Sequence, residues 1–442
     1  MISPEVDASL NPSAGDFSTS GLFVWLLVVV MAAGYGLGSY GLIEPDEGRN
    51  AEVGREMAAT NNYVLPHLNG LPYLDKPVLF FTGVAASIEV FGANEFAARL
   101  TALLFGLATA ALAGWFACRI WGRDAMLVTA TATATAPLAL GLSRTVIMDT
   151  TLSFFVVLAL VSFFFAIEGR SRARVEPPFQ WPWLVWALVA WGAMGLGVLT
   201  KGPVAFAVPL LVATPYAIWR RASLGVWHPL GPVVMFGVAL PWVWAVSREI
   251  PTFLHYVVVT ETWARMTTDE LRRTEPIWFF LPVLLVGTFP WSIVALSTLR
   301  LKTPREVSGD RRARLYLWLW IVIPLVLFSL SRGKQEQYVL PLVPAVALLV
   351  GSRWPSGRTG VKFASVAWGL VGAAFLIVAA LGVPGLETAR VSLATATSFA
   401  VGFGAAALVG AVIAWLGART PVSYTHLTLP TNTNACSARG GG

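Results

Sequence analysis

Two isolated acids and a scatter of cations hold the chemical possibilities of this chain. Asp46 and Glu47 open the run PDEGRNAEVGREM, and Asp149 stands in LSRTVIMDTTLSFF between two apolar runs. Paired carboxylates beside a bilayer suit general-base work or metal binding. The cations are Arg49, Lys76 in LDKP, Arg144, Lys201 in LTKGP, and Lys334 in SRGKQEQYVLP, close to Tyr338. Such a set can hold a phosphate, with Arg gripping two oxygens and Lys acting as a point charge. Each residue also has a plainer role. Asp46 and Glu47 can complement a helix dipole, worth about 0.3–1 kcal/mol, and Lys76 can snorkel to anchor the segment after it. A charge at the edge of an apolar span is nevertheless a functional candidate by default.

The elements that must position these residues start with 44–78. Its first thirteen residues carry seven charges, namely Glu44, Asp46, Glu47, Arg49, Glu52, Arg55 and Glu56. Pro45 suits a first helical turn, and the acids beside it suit the positive end of the dipole. Asp46, Arg49 and Val53 would share one face. The sequence therefore predicts a surface helix at the mouth of a membrane-embedded site, supported by Glu47 and Asp75. The apolar run 79–91 is short for a span, about 20 Å if helical, against a hydrocarbon core of about 30 Å. It is expected to lie along the surface.

Composition sets the frame. The 442 residues are 56% hydrophobic and 12% charged, with a mean hydropathy of +0.67, where a soluble domain averages about 25% charged. The expectation is an all-α polytopic membrane protein. Apolar segments near 21–43, 97–118, 124–142, 150–168, 182–200, 203–219, 229–248, 277–298, 315–330, 338–352, 362–383 and 393–416 predict about twelve spans. With a cytoplasmic N-terminus and 421–442 set aside, the predicted inner loops hold 17 Lys/Arg and the remaining segments 13. That agrees with the positive-inside rule. It places 44–78, 143–150, 200–203, 249–276 and 331–337 together on the outer side, and 44–96 becomes a first outer loop of juxtamembrane helices. Segment 249–276, with Glu261, Arg265, Asp269 and Glu270, reads either as a mobile loop over the site or as a solvated loop. The net charge of +7 sits in short inner loops and does not signal nucleic acid. Cys118 and Cys436 are far apart, which excludes a paired-cysteine metal site.

Residues 1–20 are expected to be a disordered tail before a domain spanning 21–420. Residues 421–442 share no character with what precedes them and read as appended, non-native sequence, with a natural C-terminal part missing.

The runs PDEGRNAEVGREM, HLNGLPYLDKP, FGANEFAARL, SRTVIMDTTL, LTKGPVA and SRGKQEQYVLP resemble, in that order, the bacterial polyprenyl-phosphate-dependent glycosyltransferases. The closest pattern is the 4-amino-4-deoxy-L-arabinose transferase type, related to the protein O-mannosyltransferases and sharing their GT-C membrane fold. The resemblance covers about 21–416. It implies Asp46 and Asp149 as the catalytic acids. It implies Lys76, Arg49, Lys334 and Tyr338 around the donor phosphate, and the cation set read from the residues adds Lys201 and Arg144 there. It further implies a polyprenyl-phosphate sugar donor, a lipid A-like or protein acceptor, surrounding membrane lipids, and an active site on the outer face of the bacterial inner membrane. Asn50 departs from a usual tyrosine, and Asp75 from a usual glutamate. That glutamate and a later histidine hold a divalent metal in some relatives. Here the later loop, VVTETWARM, has no histidine, and His255 stands upstream. A divalent metal therefore stays open and no other cofactor is expected. A transporter or flippase of lipid-linked sugars is the competing reading. Such proteins often show two matching halves, and no internal repeat is visible.

Overall fold

The computed structural model describes residues 30, 33–43, 45–173, 182–255, 275–299, 308–331, 333–353, 358–381, 401, 404–405, 407–412 and 415. The terminal tails, the loop acids of 256–274 and the first part of the predicted first span, 21–29 and 31–32, lie outside the described residues. Residues 365–442 form a second unit, helical where described.

The first element is α1, Asp46–Thr60. Behind it comes the one departure from an all-helical reading, a two-stranded hairpin of β1, His67–Leu68, and β2, Leu71–Pro72. Asn69 and Gly70 both take positive φ at its turn, the conformation that an Asn-Gly pair favours in a tight hairpin. The Glu56 carboxylate of α1 accepts the N–H groups of Asn69 and Gly70 at 2.5 and 3.1 Å. Next is α2, Leu79–Phe91, thirteen residues long as the apolar run predicts. It packs on α1 at Gly54, where a Cβ would lie 2.5 Å from a Val84 methyl.

Helix α3, Glu95–Trp121, starts on an Asn94 cap whose side chain accepts the Ala97 N–H at 2.9 Å. The predicted span 124–142 divides into α4, Arg123–Thr135, and α5, Pro137–Ser143, bent by 62°. Pro137 causes this, because it lacks a donor and pushes Ala136 out of helical geometry. Helix α6, Asp149–Arg172, is the axis of the core. It is apolar on all sides and 83% of its most apolar window is buried, as a helix surrounded by others must be. Around it lie α7, Pro182–Lys201, and α8, Val204–Trp219, followed by α9, Leu230–Glu249. The second predicted span to break is 277–298. It forms α10, Phe280–Gly287, and α11, Trp291–Leu299, bent by 104° at a break containing Pro290. The long α12, Ser308–Leu330, precedes a 3-10 turn, Glu336–Leu342, which runs into α13, Val343–Ser352. Helix α14 is Arg358–Leu381.

Twelve spans are not reached among the described residues. Five helices are long and apolar enough to cross a membrane, or seven if each bent pair counts once. The shortfall has physical sources. Helix α8 has sixteen residues, about 24 Å. The segment 338–352 starts as a 3-10 turn, and the two ends of the predicted set are mostly outside the described residues.

Candidate active site

Helix α1 turns the two acids of its first turn to opposite sides. Asp46 is exposed, and Arg49 donates to its Oδ1 at 2.6 Å across one turn. Its sequence neighbour Glu47 is turned inward and almost fully buried. There it meets Arg99 of α3, itself without exposed surface. The guanidinium donates from Nε to Glu47 Oε1 and from Nη2 to Oε2, both at 2.9 Å. Its other donors go to the carbonyls of Leu37, Tyr40 and Gly41 at 2.9, 2.9 and 3.0 Å, so all five are used. The Tyr40 ring lies 3.9 Å from the guanidinium carbon. Glu47 also accepts the Ile43 N–H and the Val146 N–H, both at 2.8 Å. Burial alone would raise its carboxyl; the Arg99 hydrogen bonds and the two backbone donors outweigh that and hold it below the ordinary range.

The segment 144–149 carries the second acid. Asn50 donates from Nδ2 to the Val146 carbonyl at 2.8 Å, so both backbone groups of Val146 are held from α1. The sequence assigns Arg144 to a donor phosphate. The structure instead directs its guanidinium onto the Ala33 and Tyr35 carbonyls at 2.5 and 2.8 Å. The turn at 33–40 brings those acceptors within reach, and Tyr40 in return donates its hydroxyl to the Arg144 carbonyl at 3.1 Å.

Asp149 opens α6 with its side chain buried. Lys201, the last residue of α7, donates from Nζ to Asp149 Oδ1 at 2.6 Å. Gly202 permits this, because φ of +87° reverses the chain immediately after the lysine. Lys201 Nζ also sits 5.4 Å from the centre of the Tyr338 ring, which stacks on Phe280. Predicted residues from three distant motifs, Asp149, Lys201 and Tyr338, thus converge. Lys334 is buried and donates to the Ser331 carbonyl at 2.8 Å. Lys76 is half-buried and donates to the Asp75 carbonyl at 2.7 Å. Among the described residues no three His, Cys, Asp or Glu side chains gather as a metal would need, and no step below is routed through a metal.

A family model described as dolichyl-phosphate-mannose-protein mannosyltransferase matches residues 42–257, a range that contains all of these groups except Lys334 and Tyr338. An undecaprenyl phosphate-alpha-4-amino-4-deoxy-L-arabinose arabinosyl transferase of Erwinia tasmaniensis is 32% identical over 351 residues, 77% of this chain and 61% of the relative. One from Pseudomonas fluorescens is 34% identical over 343 residues, 76% of this chain and 58% of the relative. In three dimensions the chain matches ArnT of Cupriavidus metallidurans, crystallised with undecaprenyl phosphate. The TM-score is 0.76 at 28% identity, over 91% of this chain and 73% of that one. These matches make the chain similar to the GT-C superfamily that holds the arabinosyl and protein mannosyl transferases. It is a multi-pass membrane protein by its helices, and it spans less than two thirds of the length of these curated relatives.

Two groups of this chain were passed over by the sequence pattern. Arg99, inside FGANEFAARL, is a cation one turn into an apolar helix, which is itself a signal. Glu168 was missed for the same reason at the far end of α6. It accepts from Arg220 at 2.7 and 3.2 Å, from Arg312 at 3.0 Å and from Tyr216 at 2.8 Å. The hairpin, too, was announced by Asn69-Gly70.

Proposed function

We propose that this chain carries the catalytic region of an inner-membrane glycosyltransferase. It would move a sugar from a polyprenyl-phosphate donor to a lipid A-like lipid or a protein, on the outer face of the membrane. The observation that carries this reading is Asp149. It is a buried acid with one side-chain partner among the described residues, Lys201. It lies in a fold like that of a protein crystallised with undecaprenyl phosphate. The relatives' names make 4-amino-4-deoxy-L-arabinose the first donor sugar to offer.

The donor's apolar tail lies among the spans and its phosphate meets Lys76, Arg49 and Lys334. The acceptor oxygen attacks the anomeric carbon. The bond from that carbon to the phosphate oxygen breaks, and polyprenyl phosphate leaves with the electron pair. Fixed cations stabilise the charge that grows on the leaving group, the electrostatic form of catalysis. Asp46, exposed at the rim, takes the proton of a hydroxyl acceptor, or orients a phosphate acceptor that has none to give. Asp149, paired with Lys201 and with the Tyr338 ring beside the ammonium, keeps lone pairs to accept a hydrogen bond from the bound sugar or acceptor. A single displacement inverts the anomeric centre.

The test is release of undecaprenyl phosphate by purified protein in detergent, where no gradient exists to drive transport. Undecaprenyl-phosphate sugars are offered with lipid A and with peptide acceptors. Release that requires both an acceptor and Asp46 supports transfer. A well-folded protein that binds the donor and never releases the carrier lipid would favour transport and overturn this reading.

A further inference from the structure

The two acids named above, Asp46 and Asp149, lie 103 positions apart in sequence. What joins their segments is a buried polar knot. Glu47 follows Asp46 directly, and Val146 comes three residues before Asp149. Val146 lies outside any helix or strand, and side chains of α1 pair its backbone. Its N–H donates to Glu47 at 2.8 Å and its carbonyl accepts from Asn50 at 2.8 Å. Arg99 closes the knot from α3, and with it the turn at 37–43.

We infer that Glu47, Arg99 and Asn50 form a positioning unit that sets the placement of the Asp149 segment against the Asp46 turn. This rests on the function proposed above. All three are buried, and their hydrogen bonds go to one another and to the backbone of 37–43 and 146, so they act as positioning residues. Their effect passes through backbone. The chemistry explains the residue types. A segment without secondary structure leaves its N–H and carbonyl unpaired in a dry interior, which is unfavourable unless side chains supply partners. A carboxylate supplies acceptors for Val146 N–H and Ile43 N–H, but a buried carboxylate needs a compensating cation. Only a guanidinium meets that need and three carbonyls at once, because it has five donors in a fixed plane. Lysine has three donors and no fork. Asn50 completes the unit by taking the remaining Val146 carbonyl, which no charged group could do without a further partner.

Two variants and two readouts test the inference. Asn50→Ala removes one hydrogen bond, while Arg99→Lys keeps the charge and loses the fork. The first readout needs no activity. It is hydrogen–deuterium exchange of the peptide 144–149, with the peptide 155–164 in the core of α6 as control. Exchange should rise in 144–149 in both variants and stay unchanged in the control. The second readout is turnover divided by the number of sites that bind undecaprenyl phosphate. A misplacement of about 1 Å costs on the order of 100-fold, so turnover per site should fall at least tenfold, with the dissociation constant for undecaprenyl phosphate within twofold of the unmodified chain. Sites lost in proportion to rate, with turnover per remaining site unchanged, would reduce the knot to a stability element and overturn the inference. Unchanged exchange at 144–149 in Asn50→Ala would overturn it as well, even if Arg99→Lys does not fold. A chain that shows both exchange changes yet transfers no sugar in its unmodified form would instead count against the proposed function.

Discussion

The two ends of helix α6 hold buried acids that the structure treats in opposite ways. At the C-terminal end, Glu168 accepts four hydrogen bonds, from Arg220, Arg312 and the Tyr216 hydroxyl. These tie α6 to α8 and α12, and Trp121 of α3 joins nearby through Asp310 of α12 at 2.9 Å. At the N-terminal end, Asp149 has Lys201 alone among the described residues. A carboxylate can accept at about four lone-pair sites. Glu168 has filled them and has nothing left to offer a substrate. Asp149 has capacity to spare, and its one partner is a lysine, a mobile point charge and not a planar fork. Saturation marks a structural acid, and unused capacity marks one that is available for chemistry. Glu47 falls in the saturated class although it adjoins Asp46 in sequence.

The sharpest way to break this comparison is to neutralise each acid without changing its shape. Asp46→Asn should lower the release of undecaprenyl phosphate by about 10²–10⁴-fold with little change in melting temperature, and Asp149→Asn should lower turnover per folded molecule as well, although it also costs stability by leaving Lys201 without its carboxylate. Normal turnover by either variant would remove that acid from the scheme. Glu168→Gln should do the reverse. It leaves two arginines without their carboxylate in the interior, so stability should fall by about 3–5 kcal/mol, read from thermal or denaturant unfolding, with turnover per folded molecule retained. A Glu168 variant that stays stable but stops turning over would collapse the distinction between the two ends.

Smaller effects sharpen the picture. Gly54→Val forces a side chain into the Val84 methyl and should destabilise the α1–α2 contact by about 1–3 kcal/mol. Proteolysis within 60–79 would reveal it before global unfolding. The weakest expected effect is a pH dependence from Glu47. Its folded carboxyl titrates below the unfolded one, so the stability it contributes is fully present above the unfolded value of about 4.3. That contribution is lost as pH falls through the folded value. Melting temperatures from pH 7 down to pH 3.5 should therefore fall less steeply at the acid end for Glu47→Gln than for the unmodified chain. Equal slopes would show that Glu47 carries no such linkage.

Much of this was legible before any coordinates. The low charge content and long apolar runs require a helical membrane protein, because a bilayer interior leaves backbone groups no partners except those within a helix or a closed barrel. The dense charge of 44–56 marked the rim helix α1, and the isolated positions of Asp149, Lys201 and Lys334 marked them as residues of interest. Three features were not legible. Proline breaks at Pro137 and Pro290 bend two predicted spans, since hydropathy counts apolar residues and ignores backbone donors. Arg144 looked like an anion ligand because the sequence does not show that the carbonyls of Ala33 and Tyr35 reach it first. Asp46 and Glu47, chemically alike and adjacent, separated only when α1 took its rotation against α3. The sequence by itself determined which side chains are ionisable and which stretches must be helical, because both are local properties of residue type and spacing. The tertiary structure decided which charges are saturated and which keep open valence for a substrate, because that depends on donors contributed from 50 to 150 residues away.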